Sequence, residues 1–174
     1  IWITEWNLQM SKTTGNTMLQ ALFVSSYLLE SSTNPSLINI ELATFHNMAG
    51  RTISGSMLLK KKDKMHVLST YRPMKMLNKV FQNSDFKSSK VDFEKECFKY
   101  IFTNDKKQII CWVNWSGNIH SDKIPVGVWV KEEYFGEKLH STTLNNDRLI
   151  YNKTEVVNEI SIKPFSFTMV INYE

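Results

Sequence analysis

The strongest constraint in this chain is a change of hydrophobic rhythm near Asp85. Upstream of it, strand-like and helix-like segments alternate. Residues 1–6 (IWITEW) are short, β-branched and aromatic, the composition of a buried strand. Residues 16–30 (NTMLQALFVSSYLLE) are apolar around most of a helical circumference. That pattern predicts a helix covered on more than one side, with Asn16 as its N-cap. Asn34-Pro35 signals a turn, and residues 37–45 (LINIELATF) read as a second strand. Strand, helix and strand in this order make a βαβ unit, with parallel strands and a right-handed crossover. Asn39 and Glu41 are awkward in a dry core but suit a barrel interior near a polar site. A hairpin is expected over residues 56–68, turning at 61–64. A further helix begins near Pro73, capped by Ser69 or Thr70, with Met74, Leu77, Val80 and Phe81 on one stripe.

Downstream the helical period disappears and short strands recur. They are expected at residues 96–103, 108–115, 124–131, 138–144, 156–162 and 165–172, with turn clusters such as Ser116-Gly117-Asn118 between them. Such spacing predicts an antiparallel β-sandwich. The hairpin around Asn104-Asp105-Lys106-Lys107 pairs Thr103 with Gln108, which sets Tyr100 opposite Cys111. Its core face then carries Phe98, Tyr100, Phe102, Ile109, Cys111, Val113 and Trp115. Cys97 falls on the other face, so no cross-strand disulfide with Cys111 is expected. The fold class is thus α/β plus all-β. Residues 1–85 form one part and residues 86–174 the other, packed tightly because no linker separates them.

Composition narrows the function classes. Of 174 residues, 42% are hydrophobic, which suits a packed chain and not a disordered one. The net charge of +4 comes partly from the run Lys60-Lys61-Lys62-Asp63-Lys64, which has the form of a solvated turn and not of a nucleic-acid-binding face. No apolar run approaches the ~18 residues of a membrane span. His66, His120, His140 and the two cysteines show no metal-ligand spacing, and no phosphate-binding loop or Ser-His-Asp order is visible. Neither nucleic acid nor membrane is therefore expected as a partner, and neither metal nor cofactor. The sequons Asn114-Trp115-Ser116 and Asn152-Lys153-Thr154 matter only in a eukaryotic secretory pathway. With no initiating Met, the natural N-terminus is expected upstream. The compartment stays open, a secreted or periplasmic one ahead of the others.

The chemistry concentrates in Trp2-Ile3-Thr4-Glu5-Trp6-Asn7 (WITEWN). A carboxylate at the C-terminal end of a buried, aromatic-flanked strand is expensive to desolvate without polar neighbours and a task. In parallel α/β barrels, strand C-termini are where catalytic groups gather. This segment resembles the nucleophile strand of clan A retaining glycoside hydrolases, notably α-L-arabinofuranosidases and β-xylosidases. The resemblance implies that Glu5 attacks the anomeric carbon, with Trp6 and Asn7 at the rim of the sugar site. Residues 37–45 then correspond to the eighth barrel strand, ending at His46-Asn47, with His46 a candidate sugar ligand. Residues 70–73 (TYRP) and the helix after them correspond to the last barrel helix, and the strands after Asp85 to an accessory β-sandwich. In the clan the acid/base is the Glu of an Asn-Glu pair ending the fourth strand. The only such pair here, Asn158-Glu159, lies in the strand-rich half. Six of the eight barrel strands are accordingly expected upstream, and residues 1–174 alone are expected to lack the acid/base.

The expected reading is the C-terminal portion of a retaining glycosidase acting on arabinofuranosides or xylosides. Its expected partners are a carbohydrate substrate and either the missing N-terminal barrel segment or a second copy. The alternative is a non-catalytic carbohydrate-binding or structural β-sandwich module, in which Trp112, Trp115 and Trp129 offer stacking surfaces, although strand alternation favours the core for Trp115. A lone barrel end should also leave the first helix without full cover and the first strand with an open edge.

Overall fold

The computed structural model describes residues 2–8, 13–34, 42–45, 48–50, 56–82, 84–143 and 148–173. Its first strand, β1 (Trp2–Trp6), is followed by helix α1 (Met18–Thr33) and strand β2 (Leu42–Phe45). β1 and β2 pair in parallel, Trp2 beside Leu42 and Trp6 beside Phe45, so α1 is the crossover of a βαβ unit. A small sheet follows, made of β3 (Ala49–Gly50), β4 (Leu58–Lys61) and β5 (Lys64–Val67). β4 and β5 form the expected hairpin, and its turn places Lys62 at φ 54°. Helix α2 (Tyr71–Phe81) comes next, burying Pro73, Met76, Leu77 and Val80, while Phe81 is 39% exposed.

The remaining strands are β6 (Asp85–Asp92), β7 (Cys97–Asn104), β8 (Lys107–Asn114), β9 (His120–Phe135), β10 (Ile150–Ile162) and β11 (Ser166–Tyr173). They join in one six-stranded antiparallel sheet of order β10-β9-β11-β8-β7-β6. The sheet serves two cores. On one face Tyr100, Phe102, Ile109, Cys111, Val113, Phe167, Met169 and Ile171 pack against Met18, Leu22 and Leu29 of α1 and Met76, Leu77 and Val80 of α2. On the other face Ile110, Trp112 and Val170 meet Ile124, Trp129, Ile160 and Ile162 from β9 and β10. Those two long strands change register where residues 124–127 stand opposite Asn158 alone, with Gly127 at φ 145° and Asn158 at φ 63°. This irregularity bends the strand pair so that it covers its own sheet.

The hairpin register is as expected: Thr103 faces Gln108 and Tyr100 faces Cys111. Asn104 Oδ1 accepts from the backbone N–H groups of Lys106 and Lys107, at 2.9 Å each, which closes the turn. Both cysteines are free thiols, Cys111 in the helix-side core and Cys97 packed against the other.

Three expectations need correcting. Of the expected strand at residues 138–144, the described residues 138–143 are not a strand: 137–140 form bends and turns, and Thr142 makes isolated bridges to Thr17 and Arg148. The segment instead supplies the carbonyls of Ser141 and Leu139 to the N–H groups of Met18 (2.9 Å) and Leu19 (2.8 Å). The first N–H groups of a helix have no intrahelical acceptor, and here they take distant carbonyls. The N-cap is accordingly Thr17, whose hydroxyl accepts from Gln20 N at 3.4 Å, and not Asn16. Nor does α1 lack cover. Met18, Ala21, Leu22, Val24 and Leu29 are wholly buried, because the helix lies between the β1–β2 pair and the six-stranded sheet.

Candidate functional site

The C-terminal end of β1 is held by residues that the strand motif alone does not reveal. Trp6 is 8% exposed, stacked on Tyr27 of α1 (centroids 4.4 Å apart, 24° between planes) and edge-on to Phe45 of β2 (5.1 Å, 72°). Its indole Nε1 is buried without a hydrogen-bond partner among the described residues. Asn7 is half-buried. Its Oδ1 accepts from its neighbour's backbone, Leu8 N, at 2.7 Å and from Gln20 Nε2 at 3.2 Å. Gln20, only 1% exposed, accepts through Oε1 from Asn16 N at 2.9 Å and Ser69 Oγ at 3.4 Å. Asn16 then accepts through Oδ1 from Ser69 N and Thr143 Oγ1, both at 2.9 Å. Asn16 holds φ 58°, a left-handed conformation that Asn tolerates better than most residues.

The result is a chain of buried amides and hydroxyls tying four segments together: the end of β1, the start of α1, the turn before α2 and the segment after β9. Sequence reasoning singled out Trp6 and Asn7. It missed Gln20 and Thr143, and it assigned Asn16 and Ser69 different tasks, as helix caps. The signal was available only in part, as a Gln on an otherwise apolar helix. Such a residue must find partners once buried.

Of the other candidates, Glu5 lies within β1, one residue before its end, and its side chain is outside what the structure describes. His46 and Asn47 lie outside the described residues. Two of the three indole platforms of the alternative reading are closed: Trp112 is 2% exposed and Trp129 is fully buried, both inside the second core, whereas Trp115 is half-buried. Trp112 Nε1 donates to Asp122 Oδ2 at 3.0 Å, and Trp129 Nε1 to the carbonyl of Pro125 at 3.0 Å. The sequon at Asn114 is likewise closed, since its amide is buried and donates to the carbonyls of Asn118 (2.9 Å) and Lys163 (2.8 Å).

Charged groups inside the sheet are paired. Lys131 meets Glu133 at 2.9 Å, and Glu132, on the opposite face of β9, meets Lys79 of α2. A cavity of about 450 Å³ lies along β7, β8 and β9 and is lined by Trp112, Lys99 and Asp122 among others. Burial pushes the Asp122 carboxyl up. Hydrogen bonds from Lys99 and Trp112, with the Lys99 charge 2.8 Å away, outweigh it and hold the pKa below the ordinary 3.8. Among the described residues no group of three or more His, Cys, Asp or Glu is placed to hold a metal ion. No helix of these residues is long and apolar enough to cross a membrane.

The fold is shared with solved glycoside hydrolases. An α-L-arabinofuranosidase from Thermotoga maritima, crystallised with arabinose, superposes with a TM-score of 0.70 at 13% identity over 98% of this chain. An arabinose-bound GH51 α-L-arabinofuranosidase reaches 0.78 at 9% identity over 99% of the chain, and a GH30 endoxylanase from Clostridium papyrosolvens 0.62 at 13% over 99%. The chain spans 42%, 32% and 42% of the lengths of these three proteins respectively. No family model matches the sequence, and no curated protein does.

Proposed function

We propose that the chain is the C-terminal portion of a retaining glycoside hydrolase acting on arabinofuranosides or xylosides, and that Glu5 is its nucleophile. The observation that carries this reading is the parallel β1–α1–β2 unit with Glu5 next to the C-terminal residue of β1, within a fold shared with arabinofuranosidases and xylanases. Trp6 packs against the helix and holds the strand end on which Glu5 sits, in a stretch where the β1–β2 pairing shifts register between Ile3 and Trp6. In this reading Trp6 and Asn7 stand at the rim, Trp6 as the support behind the strand end, and His46 lies beside them at the end of the neighbouring strand. Residues 1–85 are the barrel end and residues 86–174 the accessory domain.

The chemistry needs a second carboxyl group about 5–5.5 Å from the first. A Glu5 oxygen bonds to the anomeric carbon as the glycosidic C–O bond breaks, and the second carboxyl gives its proton to the departing oxygen. Water then cleaves the glycosyl ester while the same carboxyl takes the proton back. That partner would be supplied by the remainder of the barrel. Among the described strands β1 pairs with β2 alone, which leaves an edge for that barrel segment or for a second copy. In the complete enzyme Glu5→Ala should abolish turnover of aryl arabinofuranosides and xylosides, with azide restoring part of it as a substitute nucleophile. Normal turnover by Glu5→Ala would refute the assignment.

A further inference from the structure

A second cavity, about 280 Å³, opens between the last turns of α1 and the β6–β7 edge of the sheet. Its walls are aromatic and each is pinned. Trp115 donates through Nε1 to Ser26 Oγ at 3.0 Å, and Phe98 takes Phe93 edge-on at 5.7 Å and 75°. Tyr100 donates its hydroxyl to Glu30 Oε1, and burial together with that carboxylate pushes the phenol pKa far up. Glu30 Oε2 takes no hydrogen bond from a described residue. At the mouth Phe93 is 80% exposed and Val91 42%, an apolar rim that no described part of the chain covers.

We propose that this pocket is an auxiliary carbohydrate site, separate from the end of β1, that holds one neutral sugar residue of a polysaccharide chain. Its position rests on the cavity alone, and the class of its ligand rests also on the glycosidase reading. The volume is near the lower end of ligand pockets, which run about 300–1,000 Å³ and combine apolar walls with a few placed polar groups. A pyranose matches that lining. Its C–H face lies against fixed ring faces, and its equatorial hydroxyls donate to a carboxylate, an acceptor-only group when ionised. The same carboxylate repels uronates and other anions. A hydrocarbon or lipid ligand would desolvate it and leave Oε2 with no donor, the Tyr100 hydroxyl serving Oε1 alone.

The test is an NMR titration of the full 174-residue chain with xylohexaose, and with soluble arabinoxylan, following the Trp115 indole N–H and the Asn7 and Gln20 side-chain amides. Xylohexaose should shift Trp115 in a saturable way. Phe93→Ala, a change at an exposed position, should weaken binding at least about fivefold. Glu30→Gln should weaken it by roughly tenfold, the scale of one hydrogen bond to a charged group. Shifts at Asn7 and Gln20 without Trp115 would overturn the auxiliary site while leaving the glycosidase reading intact. The auxiliary site is equally overturned by unchanged affinity in Phe93→Ala or by no shift with either saccharide. A Trp115 shift in a chain whose complete enzyme turns over normally with Glu5→Ala would sustain the pocket and remove the nucleophile.

Discussion

Gln20 is the residue at which the polar chain behind β1 can be cut cleanly. It is 1% exposed and supplies the acceptor for Asn16 N at 2.9 Å. Replacing it by Met keeps the length and the apolar stem but removes every hydrogen bond. Asn16 is itself buried, so its N–H is left without a partner, at a cost of about 1–3 kcal/mol. Ser69 Oγ at 3.4 Å adds little, and half-buried Asn7 can turn to water. We therefore expect Gln20→Met to lose ~2 kcal/mol. Gln20→Ala also deletes one buried methylene, at about 0.8 kcal/mol, and leaves a cavity where the carboxamide stood, partly offset by better helix propensity, for a total of ~3 kcal/mol. At roughly 2–4 °C per kcal/mol for a chain of this size, the melting temperature should fall about 4–8 °C for Met and about 6–12 °C for Ala. Urea unfolding followed by tryptophan fluorescence reads the change as a lower midpoint at constant slope. A Gln20→Met midpoint within ~0.5 kcal/mol of the parent would show that the amide chain does not hold the strand end.

Two other perturbations test separate parts of the structure. An added Cβ at Gly136 would lie 2.8 Å from Ser141 Cβ and 2.9 Å from Leu149 Cδ2, whereas at Gly117 the nearest atom is 3.5 Å away. Calorimetry should therefore show Gly136→Ala losing about 1–3 kcal/mol, with Gly117→Ala clearly milder. Asp122 has its pKa below the ordinary 3.8 in the folded chain, so its ionised form favours folding above that pH and the contribution disappears as pH falls through the folded value. Unfolding curves between pH 5 and 2 should be less pH-dependent in Asp122→Asn; an unchanged profile would refute the Lys99–Asp122–Trp112 assignment.

What the sequence made legible follows from how local each signal is. The β7–β8 hairpin could be registered residue for residue, because a two-residue turn fixes the pairing and alternation then sorts every side chain. The parallel β1–β2 pair was legible because a helix between two apolar strands leaves few topologies. β6 was missed because DFKSSKVD is an exposed edge strand, and its lysines are the means by which edges are protected from pairing further. Residues 138–144 read like a strand in sequence, but the carbonyls of Leu139 and Ser141 are claimed by the start of α1, more than a hundred residues earlier. The same distance hid the candidate site's supports: Asn7, Gln20, Ser69 and Thr143 carry no shared period and meet only in the folded chain.

The position of α1 explains why a strand end proposed for chemistry should be packed with a six-stranded sheet. One side of the helix holds β1 through Tyr27 on Trp6 and Gln20 on Asn7. Other sides hold the sheet through Ser26 on Trp115, Glu30 on Tyr100 and the shared apolar core. Its first N–H groups are fixed by Ser141 and Leu139, from the segment after β9. A helix so fixed along its length cannot slide by a fraction of a turn without breaking several of these contacts at once. A catalytic carboxylate must be held within about 0.5 Å of its productive position, and groups carried on rigid elements with supported neighbours meet that demand best. Under the proposed function the sheet therefore has a mechanical task at the end of β1 whether or not it binds sugar. That task requires the helix-side core and the amide chain, whereas the exposed rim at Val91 and Phe93 contributes nothing to it. That rim touches the helix-side core only through Phe93 on Phe98, and most of its apolar surface is left for a ligand to cover.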